Sequence, residues 1–186
     1  MTTDTTGNTG APTASLPAPR VVHRPTPGGV VVGIDGSDGS RAAVEAACDE
    51  AARRGLPLAA VVAWTAPEVW VTPYPLVPSA QDMQAAAVGL ATRQIGEVLA
   101  ARAARGASTP TVELVAASGP APVVLERLSA DAALLVVGHR GRGAVASRLI
   151  GSVGLSTVVH AHCSVLVVRA PQEGRTEGDE HESHAT

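Results

Sequence analysis

The feature that most constrains the fold is a change of period that recurs along the chain, short continuous apolar runs giving way to longer stretches patterned for helices. The runs are Val30 to Ile34, Leu58 to Trp64, Val112 to Ala116, Leu134 to Val137 and Val165 to Val168. Each is rich in Val and Leu without polar alternation, as in strands covered on both faces. The stretches between them predict helices over Gly39 to Arg54, about Ala80 to Arg105, Pro120 to Ala130 and Ser152 to about His160. In the first of these, Val44, Ala47, Cys48 and Ala51 share one face, with Glu45, Asp49 and Arg53 elsewhere. Strict alternation of the two types forces parallel strands joined by right-handed crossovers. The expectation is an α/β protein with an open, doubly wound, five-stranded parallel sheet and helices on both faces. Such sheets bind ligands beyond the C-terminal ends of their strands, where strand order reverses, so functional residues should follow the first and fourth runs.

A chain of 186 residues, 45% apolar, builds one core, and a single domain over 28–170 is expected. Residues 1–27 are rich in Thr, Pro, Gly and Ala without periodicity, and 171–186 are polar and acidic; both read as disordered tails. A net charge of −3 supplies no basic field to draw nucleic acid or anionic lipid. The cysteines, Cys48 and Cys163, are too few for a disulfide framework. The first residues lack the basic start and apolar run of a signal peptide, and no stretch approaches the ~18 apolar residues of a membrane span; a cytoplasmic location is expected. Pro67 to Pro78 carries four prolines with Trp70 and Tyr74 and reads as a loop over the same edge of the sheet, a lid or a tolerated insertion.

After the fourth run comes Gly138-His-Arg-Gly141-Arg-Gly143-Ala-Val-Ala-Ser-Arg-Leu-Ile-Gly151-Ser152. Glycines reach positive φ and let backbone amides approach phosphate oxygens. Gly151 and Ser152 open a helix, whose first amides and positive dipole end favour an anion. All 14 basic residues are arginine, which excludes phosphate loops that need a lysine.

The spacing Gly138-x2-Gly141-x9-Gly151-Ser152 resembles the ATP-binding signature of the universal stress protein family. The likeness extends from VVVGIDGS at the first run, through SGPAPVVLERLSADAALLVVGHRGRG, to VVHAHCSVLVVR. It implies a flavodoxin-like sheet of the adenine nucleotide alpha hydrolase type, with Gly138, Gly141, Gly151, Ser152 and Val153 lining the ribose and phosphates of ATP. It also implies Asp35 beside the nucleotide, and Ala63, where the family often has valine, meeting adenine through its backbone. Mg2+ is expected to be held through the phosphates. His139 stands where a small residue is common, and the family commonly pairs two copies through the last strand, here Ser164 to Arg169.

Plainer readings stand beside these. A Gly-rich segment after a strand also serves as a tight connection, and Asp35 in DGSDGS also serves as a turn or cap residue. Arg140, Arg142 and Arg148 either add charge to a phosphate or remain solvated. His160-x-His162-Cys163 falls at a helix-to-strand junction without the further ligand a zinc site needs, and Cys48 reads as a core residue. Efficient phosphoryl transfer needs a positioned base and neutralised charge at the γ-phosphate, and only Asp35 and His139 offer themselves. A nucleotide-binding regulatory module of stress response, at most a slow hydrolase, is therefore the leading expectation. The alternatives are an ATP pyrophosphatase-like enzyme, whose paired glycines are missing from Asp35-Gly36-Ser37-Asp38-Gly39-Ser40, and a dimeric interaction protein with a vestigial site.

Overall fold

The five apolar runs all pair as parallel strands, and a sixth, shorter strand joins them. The computed structural model describes residues 18–66, 78–141 and 151–171. In chain order these form β1 (Arg20–Val21), β2 (Val30–Ile34), α1 (Asp38–Arg54), β3 (Leu58–Trp64), α2 (Ala80–Ala104), β4 (Val112–Ser118), α3 (Ala121–Ser129), β5 (Leu134–Gly138), α4 (Ser152–His160) and β6 (Ser164–Val168). The sheet order is β1-β4-β3-β2-β5-β6. Val30 sits between Leu58 and Leu134 in register, so β2 and β5 are neighbours at the centre. Strand order reverses between them.

The two faces bury separate cores. On one, Val30 and Val32 of β2, Leu114 of β4 and Val136 of β5 pack against Val44, Ala47, Cys48 and Ala51 of α1 and Ile95, Val98 and Leu99 of α2. On the other, Val31, Val61, Val115 and Leu135 meet Val124 and Leu125 of α3, with Val153 of α4 at the margin. Continuous apolar runs are what a doubly covered strand requires, because successive side chains enter opposite cores. Helix ends are set locally. Ser37 caps α1 by accepting from the Ser40 amide, Gly55 ends it at φ 63, and Ser79 and Asp82 form a capping box on α2. Arg102 of α2 is 1% exposed and bridges to Glu45 and Asp49 of α1 and the Ser108 carbonyl, which ties the two helices together.

One expectation is corrected. The segment assigned to an N-terminal tail through residue 27 contains β1, which pairs Arg20 with Glu113 and Val21 with Leu114. The reason is tertiary: Glu113 is buried and accepts from Arg20 Nη2 at 2.7 Å, Thr26 N at 2.8 Å and Thr26 Oγ1 at 2.8 Å. The expected tails through residue 17 and from 172, and the Pro67 to Pro78 stretch up to residue 77, lie outside the described residues. Among those described, no helix is long and apolar enough to cross a membrane.

Candidate functional site

Where β2 and β5 end, the chain departs to opposite faces, into α1 from one and toward α4 from the other. A crevice is the geometric consequence. It forms a cavity of about 280 Å3 lined by Asp35, Ala63, Gly138, Arg140, Gly141, Gly151, Ser152 and Val153, eight of the residues singled out in the sequence. Val61, Ala121, Leu125 and Val137 add an apolar wall, and Gly33, Ile34, Ser40 and Gly154 complete the lining.

The opposite wall is the start of α4. Its N-cap is Gly151, with no side-chain cap, and its first intrahelical bond runs from Leu155 N to Gly151 O at 2.9 Å. The amides of Ser152, Val153 and Gly154 therefore precede the helical ladder. Ser152 is exposed and Gly154 buried. The Gly151 amide itself donates to His139 O at 2.9 Å, so it closes the loop and is engaged by the protein.

The glycines act through closeness. None of Gly138, Gly141 and Gly151 has positive φ, which corrects the expectation that they reach it. A Cβ on Gly138 would lie 2.5 Å from the carbonyl carbon of Gly39, and one on Gly141 would lie 2.3 Å from Asp35 Oδ2. A Cβ on Gly151 would have ordinary contact with His139 O at 3.5 Å. Gly39, expected only as the first residue of a helix, has the tightest fit: its Cβ would stand 2.1 Å from Arg140 O. The first turn of α1 thus rests directly on the loop that follows β5. Its only signal in the sequence is a second Asp-Gly-Ser immediately after the first.

Asp35 is both a turn residue and part of the lining. Its Oδ1 accepts from Ser37 N at 3.0 Å and from Ser37 Oγ at 2.6 Å, while Oδ2 faces Gly141. Arg140 lines the cavity, and its carbonyl lies 3.4 Å from Ser37 Oγ. His139 does not contribute to the lining; its amide donates to Val168 O at 2.6 Å. Desolvation, with Arg169 and Arg140 adding repulsion, lowers the imidazole pKa below its ordinary 6.5. Arg142 and Arg148 lie outside the described residues. His160 Nδ1 sits 2.9 Å from Ser156 O, Cys163 Sγ donates to Ser164 O at 3.4 Å, and no group of three or more metal-ligand side chains exists among the described residues.

The profile of the universal stress protein family matches residues 29–169. A universal stress protein of Mycobacterium tuberculosis is 36% identical over 151 residues, covering 80% of this chain and 48% of that protein. One from Mycobacterium bovis is 38% identical over 156 residues, covering 84% and 48%. The chain spans about half the length of the curated relatives it matches. A solved universal stress protein in complex with cAMP is 29% identical, with a TM-score of 0.56 over 78% of this chain and 99% of that one. The universal stress protein UspA from Lactobacillus plantarum, 21% identical with a TM-score of 0.57 over 76% and 97%, shares the fold.

Proposed function

This chain belongs to the universal stress protein family, and from that premise we propose that its cavity binds an adenine nucleotide, ATP foremost, as the ligand of a regulatory module in stress response. The observation that carries the reading is the convergence of eight positions from four separate stretches of the chain on one cavity, between an apolar wall and an uncapped helix start. The apolar side, Val61, Ala63, Ala121 and Leu125, suits a flat base. The Ser152 to Gly154 amides and the dipole of α4 suit a phosphate. Mg2+ comes with the phosphates, its charge shared among them. A relative solved with cAMP, at 29% identity, supports the same ligand class.

Regulation fits better than catalysis. Asp35 Oδ1 is engaged by Ser37, and His139 does not line the cavity, so neither loose candidate is poised as a base. Hydrolysis is accordingly slow, and an assay for AMP and pyrophosphate with candidate acceptors tests the ligase alternative. Two copies pair through β6, which bonds only β5 among the described strands and presents an open edge from Ser164 to Arg169. A light-scattering mass equal to one chain removes that part of the reading.

The test of ligand binding is calorimetry with ATP, ADP, AMP and cAMP, joined to chromatography of any nucleotide released on denaturing the purified protein. The expected result is heat with at least one of them, and at least about tenfold weaker binding by Gly141→Ala, which drives a carbon into the Asp35 carboxylate. No heat with any adenine nucleotide, or undiminished affinity in that variant, overturns the assignment.

A further inference from the structure

Gln94 belongs to α2 and does not line the cavity, yet its side chain ends inside the turn that presents Asp35. It is 4% exposed, as is Ser40 beside it. Its Nε2 donates to Ser37 O at 2.9 Å, and its Oε1 accepts from Ser40 Oγ at 3.0 Å. Because a carbonyl oxygen only accepts, the amide has one workable orientation. Ser37 in turn gives its amide and its hydroxyl to Asp35 Oδ1 and accepts from the Ser40 amide at 3.1 Å. One helical turn earlier, Leu90 covers Gly36, where φ is +82 and a Cβ would come within 3.0 Å of Leu90 Cδ1. Asp35, Gly36 and Ser37 are thus gripped from behind by two residues of α2.

We propose that Gln94 is a positioning residue of the nucleotide site, holding Ser37 and Ser40 so that Ser37 fixes the Asp35 carboxylate against the cavity. This rests on the nucleotide reading above. A buried amide that merely satisfies its neighbours would have the same two bonds, so the partners' other options separate the roles. Ser37 O also accepts from Arg41 N at 2.9 Å and lies 2.9 Å from Ser40 Oγ. Removing Gln94 therefore strands neither group, and its removal costs little stability while loosening the turn. Met in its place keeps the length and apolar bulk of the side chain without its hydrogen bonds.

The experiment compares the full-length wild type, Gln94→Met and Val98→Ala, using ATP as the probe. Val98 is 4% exposed on the same helix, in the core and away from the cavity lining, so its truncation destabilises α2 without touching the turn. Expected are about tenfold weaker ATP binding by Gln94→Met with little change in Tm, and wild-type affinity in Val98→Ala despite its lower Tm. In the ligand-free protein, the Ser37 and Ser40 amides exchange about tenfold faster in Gln94→Met alone. Undiminished ATP affinity in Gln94→Met, equal losses in both variants, or unchanged exchange at Ser37 overturns the proposal while the nucleotide reading stands. Failure of the wild type to bind any nucleotide overturns both.

Discussion

Replacing Gly39 with alanine pits helix propensity against packing at one carbon atom. Gly39 lies in the first turn of α1, and its added Cβ would stand 2.1 Å from the Arg140 carbonyl oxygen, where ordinary contact begins at 3.4 Å. The loop and helix must part by more than an ångström. Movement toward β5 gives no relief, since the Gly39 backbone already lies within 2.5 Å of where a Gly138 Cβ would be. Both obstacles are backbone, with no flexible side-chain end to yield. Gly→Ala in a helix gains about 1 kcal/mol, whereas overpacking costs about 1–3 kcal/mol, here toward the upper end because backbone must shift. The net loss is about 2 kcal/mol, which lowers Tm by about 4–8 °C for a protein of this size. Gly96→Ala is the matched control: the same change at an exposed position of α2, with nothing within 4 Å of the new carbon. It gains about 1 kcal/mol and raises Tm by about 2–4 °C. Thermal unfolding followed by circular dichroism reads both. A Gly39→Ala Tm at or above wild type, or a fall in both variants, refutes the idea that α1 is seated on the loop by direct backbone contact.

The two thiols should differ sharply. Burial pushes the Cys48 thiol from its ordinary 9.0 to about 11, while Cys163 is only partly buried. At pH 8 a thiol reagent modifies Cys163 in the native protein and reaches Cys48 only at the rate of unfolding; rapid double modification contradicts this. Because the unfolded chain releases the Cys48 proton first, its contribution to stability is complete below about pH 9 and declines as pH climbs toward 11. Cys48→Ala flattens that alkaline limb in denaturant titrations. For Glu113, burial acts to raise the carboxyl pKa, but hydrogen bonds from Thr26 and Arg20 outweigh it and hold it below 4.5. The grip on β1 is therefore full above pH 4.5 and is lost as pH falls through the lower folded value. The Val22 amide, which donates to Leu114 O, reports this by hydrogen exchange: it loses protection in acid, and at neutral pH in Glu113→Gln. Protection that survives both overturns the latch.

The sheet was legible because its signal is local. Five runs of Val and Leu announce doubly covered strands wherever they occur, and the helices between them differ from expectation by a residue or so at their ends. Gly138, Gly141, Gly151 and Ser152 were marked by spacing and by the place a doubly wound sheet reserves for ligands, whereas Asp35, Ala63 and Val153 came from the family resemblance. What stayed hidden depends on contacts between distant residues. Arg20–Val21 has no apolar run to betray it, and its anchor, Glu113, lies 93 residues from Arg20 and 87 from Thr26. Gln94 reads as an ordinary polar residue of a long helix until the turn it clasps is brought alongside. The glycines were read for φ and for close approach to a phosphate, whereas what requires Gly138 and Gly141 in the structure is the position of a neighbouring part of the chain.

That last distinction changes what the Gly-rich signature means here. If the glycines served to bend one loop around a phosphate, substitution would act on that loop alone. The contacts instead join two crossings: Gly138 and the Arg140 carbonyl lie against Gly39 of α1, and Gly141 lies under the carboxylate of Asp35, which Ser37 anchors at the N-cap of the same helix. The turn after β2 and the described residues that follow β5, His139 to Gly141, are therefore in direct contact, with the first turn of α1 between them and α2 clasping the turn through Leu90 and Gln94. On the proposed reading, a nucleotide seated between Asp35 and the first turn of α4 would touch both segments, and an adjustment in their spacing would be felt by α1 and, through Gln94, by α2. Packed interfaces pass such shifts on because they do not deform continuously. On the proposed nucleotide reading, a shift of that kind would reach the outer surface first through α1 and α2, on the face opposite α3 and α4.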